Sequence, residues 1–184
     1  MSLTSREYWT LIHGMILGAL FLLSYAGGLA GLYSLRPELV TTTGIKERLA
    51  RLKLGTGLMA LVAWLTVITG TYIVYPWYRA PAPEGADLSL FPRSLLKANP
   101  ALSAWHTFGM EWKEHIAWFA QILATVVAYL VWKYGPELAR NDKLRNMAIW
   151  IFIIAFVTAG IAGLFCFHYP RRRSVTTLAR SSPN

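Results

Sequence analysis

The sequence predicts an all-α integral membrane protein, a bundle of four transmembrane helices running up-down-up-down. Three observations predict it. The chain of 184 residues is 55% hydrophobic and only 15% charged, where a soluble domain carries nearer a quarter, and its mean hydropathy is +0.39. The charges are clumped, so residues 8–35, 54–78, 115–132 and 146–170 contain no Asp, Glu, Lys or Arg. At 1.5 Å rise per residue, about 20 residues cross a ~30 Å hydrocarbon core, and four such stretches with short connections make the alternating bundle the default.

The polar leader "MSLTSRE" runs into span 1, residues 8–34. Its apolar run from Tyr8 to Tyr33 is too long for the core of a cleavable signal peptide, so it is expected to remain as a membrane helix. "RPELVTTTGIKERLARLK" leads to span 2, residues 50–76. That span ends in "YIVYPWYRAPAPEG", where Pro76, Pro81 and Pro83 are expected to stop the helix. The connection 79–110 is the longest. Within it "FPRSLLKANPALSAWH" has enough apolar residues for a short helix lying along the membrane surface between spans 2 and 3. Span 3 covers residues 111–134; its charge-free part is slightly short, but Trp112 and Tyr134 extend it to the interfaces. "YGPELARNDKLR" predicts a tight charged turn into span 4, residues 145–169, and residues 171–184 form a basic C-terminal tail. With no internal repeat and no low-complexity tract, residues 1–184 read as one transmembrane domain.

Composition also excludes several functions. The single Cys166 leaves no intrachain disulfide and no multi-cysteine metal or iron–sulfur site. Next to His168 on a helix its side chain diverges by about 200°, so it reads as a buried, inert thiol rather than a nucleophile. The net charge of +9 fits loop topology and anionic lipid; no nucleic-acid motif is present, and no nucleic-acid partner is expected.

The alternating topology sorts the four histidines. With side A defined as the face holding the N-terminus, His13 lies about a turn and a half inside span 1 on side A. His115 lies about one turn inside span 3 on side A, His168 ends span 4 there, and His106 lies in the side-A connection. An interfacial histidine can be an amphipathic belt residue like Trp or Tyr, and both that reading and a ligand role stay open for His106 and His168. His13 and His115 sit inside apolar runs, where ionisable side chains are costly and count as functional candidates.

Imidazole is a neutral axial ligand for haem iron, and bundles build cofactor sites from side chains on facing helices. His13 and His115 are therefore the expected axial, metal-binding pair of one haem b, with His168 as the alternative ligand. Gly14 and Gly18 leave room for a flat ring beside span 1, although small-residue helix packing explains such glycines equally well. Glu111, spaced i, i+4 from His115, can accept the spare N–H of a ligating imidazole, relay protons, or remain a solvated interfacial charge. Other metals fit less well: a di-iron site needs more inward glutamates, and a zinc or copper site built from His13, His115 and His168 lacks a supporting motif. The aromatics crowding side A, among them Tyr72, Tyr75, Trp77 and Tyr78, suit an interfacial belt and permit a quinone pocket drawing on Arg79 or Lys113.

Carried by His13 in "LIHGMILG", His115 in "EWKEHIAW" and the number of spans, the chain resembles the small b-type cytochrome membrane subunits of quinone-linked oxidoreductases. The resemblance implies a helical bundle that holds haem b through histidines on separate helices. It also implies electron transfer between a quinone pool and a partner subunit of a larger membrane complex, with no catalysis by the chain itself. Two-haem versions place ligands at both membrane faces; no histidine falls on side B, so one haem near side A is expected. The other class of function open to this sequence is a cofactor-free structural subunit or assembly factor of a respiratory or photosynthetic complex.

Orientation follows the basic residues flanking the first span. The eighteen Lys and Arg divide evenly between the two sides, but one precedes span 1 and five, Arg36, Lys46, Arg48, Arg51 and Lys53, follow it up to the charged start of span 2. Side B is therefore expected in the cytoplasm of a bacterial cell, with both termini and the histidine cluster on the periplasmic face of the inner membrane.

Overall fold

Thr4 starts the first helix. Its hydroxyl accepts the Glu7 N–H at 3.3 Å while a Glu7 carboxylate oxygen accepts the Thr4 N–H at 2.9 Å, a reciprocal cap that satisfies two otherwise orphaned donors. In the computed structural model, which describes residues 3–36, 41 and 44–167, five helices follow. They are α1 (Ser5–Tyr33), α2 (Gly44–Arg79), the short α3 (Pro92–Ala98), α4 (Pro100–Arg140) and α5 (Asp142–Phe167). One 3₁₀ turn, Leu88–Leu90, precedes α3. The described residues contain no strand. α1, α2, α4 and α5 are each long and apolar enough to cross a membrane, the makeup of an integral membrane protein in a lipid bilayer.

The long helices exceed the spans expected from charge alone, and each difference has a local cause. α1 begins at Ser5 because of the Thr4–Glu7 cap. α2 runs through Pro76 because a wide π-helical turn at Gly70–Val74 precedes it, so the proline opens the resumed α-helix, where a missing N–H is tolerated. α4 begins at Pro100, not near residue 111: the Asn99 side chain accepts the Ala101 N–H at 3.0 Å, and proline fits the first helical position. The expected charged turn after residue 134 is mostly helical. Tyr134 leaves helical geometry (φ −117°, ψ 24°) and bends α4 ahead of Pro136, after which the helix resumes to Arg140. Only Asn141 breaks the path to α5, and its side chain accepts the Leu144 N–H at 3.1 Å. Arg145 is buried here, donating to the Leu138 carbonyl at 3.2 Å and to Asp142 at 2.7 Å. It closes the end of α4.

The long helices pack in sequence, α1 on α2, α2 on α4 and α4 on α5, with a lesser contact between α1 and α5. Contact positions fall along one partner as they rise along the other: Gly31 meets Leu52 and His13 meets Gly70, while Gly135 meets Leu49 and Trp64 bonds Thr125. The apolar core occupies the side-B half, where Leu32, Leu52, Met59, Val131, Leu138 and Phe152 join one buried cluster. A Cβ at Gly28 would come within 2.8 Å of the Phe152 ring, so the missing side chain is what lets that ring fill the centre. Tyr25 and Phe21 stack on Phe156 with ring centroids at 4.0 and 6.0 Å, closing the seam between α1 and α5. Gln121 is fully buried, and neither polar atom of its amide has a hydrogen-bond partner.

Candidate functional site

α1, α2 and α4 each break α-helical register at a π-turn: Ile12–Ile16, Gly70–Val74 and Trp112–Ile116. In each, an N–H reaches back five residues, as Leu17 does to the Ile12 carbonyl. Such turns re-aim side chains and recur at functional sites. The three lie level in the bundle, because His13 of the first touches Thr69 and Gly70 at the second, and the Tyr75 hydroxyl just past the second donates to Glu114 in the third. The indole N–H of Trp112 ties the third turn to α5 through the Thr158 carbonyl at 3.0 Å.

His13 is half-buried. Its Nδ1 lies 3.0 Å from the Thr69 hydroxyl oxygen, whose own hydrogen is donated to the Leu65 carbonyl at 2.7 Å. With that hydrogen committed, the Thr69 oxygen is placed to accept from Nδ1–H, the tautomer in which a neutral ring carries its lone pair on Nε2. The ring lies over Gly70, where a Cβ would come within 2.9 Å of Cε1. His115 occupies the third π-turn with a side chain two-thirds exposed. Its Nδ1 donates to the Glu111 carbonyl at 3.1 Å and lies 3.4 Å from the Glu111 carboxylate, the tautomer in which a neutral ring carries its lone pair on Nε2.

Glu111 is thus placed beside His115, as their spacing predicts. No described contact joins His13 to His115: the first is held by α2, the second by its own helix. Gly14 and Gly18 have open space beside them, with nothing within 4 Å of a Cβ built at either. His168 and the tail 171–184 lie outside the described residues. Among the described residues no group of three or more His, Cys, Asp or Glu is arranged to hold a metal ion.

Just outside the π-turns, a polar cavity of about 210 Å³ opens between the side-A ends of α2 and α4 and is closed by α3. α2 contributes Tyr75, Tyr78 and Arg79; α3 contributes Arg93 and Lys97. α4 contributes His106, Thr107, Met110, Glu111 and Glu114. The His106 Nδ1 lies 2.7 Å from the Tyr78 hydroxyl, and the Arg79 guanidinium sits 5.3 Å from the centre of the Tyr75 ring. His106, read from sequence as a connection residue open to either role, is helical and faces this cavity.

Sequence reasoning found the histidines, Glu111, Tyr75, Tyr78 and Arg79, but missed Thr69, Gly70, Glu114, Arg93 and Lys97. For Thr69 and Gly70 a signal exists in Pro76 after an unbroken apolar run, which requires an adjustment of the turn before it. No protein-family model, curated protein or solved structure matches this chain. Fold and site therefore define only a class: an all-helical membrane chain with a polar, histidine-bearing end.

Proposed function

We propose that this chain is a membrane electron-transfer subunit that holds one haem b near side A and relays electrons between a quinone pool and a partner subunit. The observation that carries the proposal is the hydrogen-bond geometry of two imidazoles. His13 and His115 lie at one level, each with Nδ1–H on an oxygen acceptor and each offering the Nε2 lone pair, the arrangement by which metal-ligating histidines are oriented. His13 is the anchored ligand, clamped between Thr69 and Gly70. The second axial position falls to His115 or His168. Gly14 and Gly18 leave the flank of α1 open to a flat ring. Iron held by two imidazoles has no open position for oxygen, which suits single-electron transfer.

The test is a reduced-minus-oxidised absorbance spectrum of the protein purified from haem-sufficient cells. Sharp α and β bands are expected, lost in His13→Ala, and lost or shifted in whichever of His115→Ala and His168→Ala removes the second ligand. A protein with only tryptophan absorbance sinks the haem assignment and leaves the cofactor-free structural subunit.

The placement in the cell belongs to the same proposal. The helices cross the bacterial inner membrane up-down-up-down, with α3 lying at the interface and the termini periplasmic. In a Cys166→Ser background, Ser182→Cys should react with an impermeant maleimide on intact cells. No labelling, beside a labelled periplasmic control, reverses the orientation.

A further inference from the structure

The cavity between the side-A ends of α2 and α4 has a charge balance that a neutral quinone ring does not need. Arg79, Arg93 and Lys97 line it from two helices. Two carboxylates, Glu111 and Glu114, line it as well, held by His115 and by the Tyr75 hydroxyl, so the three cations leave the lining with one positive charge in excess. Among the described residues the close ion pairs are Arg51–Glu47, His115–Glu111 and Arg145–Asp142, so none of the three cavity cations is locked in a direct ion pair.

We propose that this cavity binds the phosphate headgroup of an anionic phospholipid. Guanidinium and ammonium groups converging on one concave site form short, charge-assisted bonds to phosphate oxygens, and basic pockets between transmembrane helices are a recurring form of headgroup site. The lipid, rather than free phosphate, is indicated by what lies below. Further along α2 and α4, toward the middle of their apolar spans, exposed apolar side chains follow, Leu65, Ile68 and Tyr72 on one helix and Phe119 and Ile122 on the other. Acyl chains can lie along that surface, and inorganic phosphate has no use for it. This inference is independent of haem.

The full-length protein, delipidated in detergent, is titrated with phosphatidylglycerol and observed by native mass spectrometry. Phosphatidylcholine, inorganic phosphate and a short-chain quinone serve as separate arms. One tightly held phosphatidylglycerol is expected. Its affinity should fall about tenfold for each charge-assisted contact removed in Arg93→Gln and Lys97→Gln, and should not change in the control Lys46→Gln, an exposed site near the start of α2. Melting temperatures matching wild type show that the variants are folded. Equal retention of phosphatidylcholine, displacement by millimolar phosphate, or displacement by the quinone with no effect of the two substitutions would each overturn the lipid assignment.

Discussion

The two ends of this bundle are built on different principles. At side B the helices meet through apolar side chains and small residues: Gly28 admits Phe152, Gly31 admits Leu52, and the one charge inside, Arg145, is spent on closing the end of α4. At side A one such contact remains, Phe165 on Gly109, but the helices are joined mainly by polar contacts, Thr69 to His13, Tyr75 to Glu114, Tyr78 to His106, and no residue of the three π-turns is buried. Within lipid, close packing does the work that water exclusion does in soluble cores, so stability concentrates where side chains interlock. The polar end is left free to hold groups whose placement serves something other than packing.

The sharpest way to break this contrast is to cut the core at one point. Phe152 is fully buried, stacked on Tyr25 at 4.9 Å and pressed against Gly28. Phe152→Ala should destabilise the chain by about 3 kcal/mol or more, read as a lowered midpoint in thermal or denaturant unfolding in detergent. Met15→Ala, on an exposed side chain in the first π-turn, should stay within about 0.5 kcal/mol of wild type. Comparable losses at the two positions would mean that the packed half does not carry the stability.

The same contrast explains what the sequence could and could not reveal. Four helices fit to cross a membrane were legible because charge-free length is a property of the chain itself. Helix ends are less legible: Thr4–Glu7 and Asn99–Pro100 are cap signals in the sequence, but the charged residues beside them mark shorter apolar spans than the helices that form. The level of His13 and His115 also followed from counting residues along antiparallel spans. Their azimuth did not, because a π-turn rotates everything beyond it by about one residue position and leaves no mark in the hydrophobic pattern. For that reason the place of His13 against Thr69 and Gly70 could not be read from the sequence. Arg93 and Lys97 were hidden differently: their proximity to Arg79 arises only when α3 folds back over the ends of α2 and α4.

Gln121 sits at the border between the two halves, one helical turn before the buried Ala124. With both amide atoms unpartnered inside the bundle, it carries a desolvation cost that hydrogen bonding does not return. Gln121→Leu, similar in volume, should therefore raise stability by about 1–2 kcal/mol. A fall in stability of that size would mean that the amide is satisfied by water or by a bound group, which would move the border of the polar end deeper into the membrane.

The smallest expected effect tests the polar end most directly. Thr69→Val keeps the shape of the side chain and removes only the oxygen that accepts from His13 Nδ1 at 3.0 Å. The Thr69 hydroxyl also bonds within its own helix, to the Leu65 carbonyl, a contact whose loss a helix tolerates. The cost to folding should be about 1 kcal/mol or less, leaving the side-B core intact. The imidazole changes more: without an oxygen on Nδ1, nothing selects one tautomer over the other, and the ring is free to turn above Gly70. Nitrogen NMR of histidine-labelled protein without haem should show His13 as a single Nδ1–H tautomer in wild type and as a mixture in Thr69→Val. If both proteins gave the same nitrogen shifts, His13 would be oriented by the surface of Gly70 alone. The hydrogen bond would then be incidental to the way this histidine is presented.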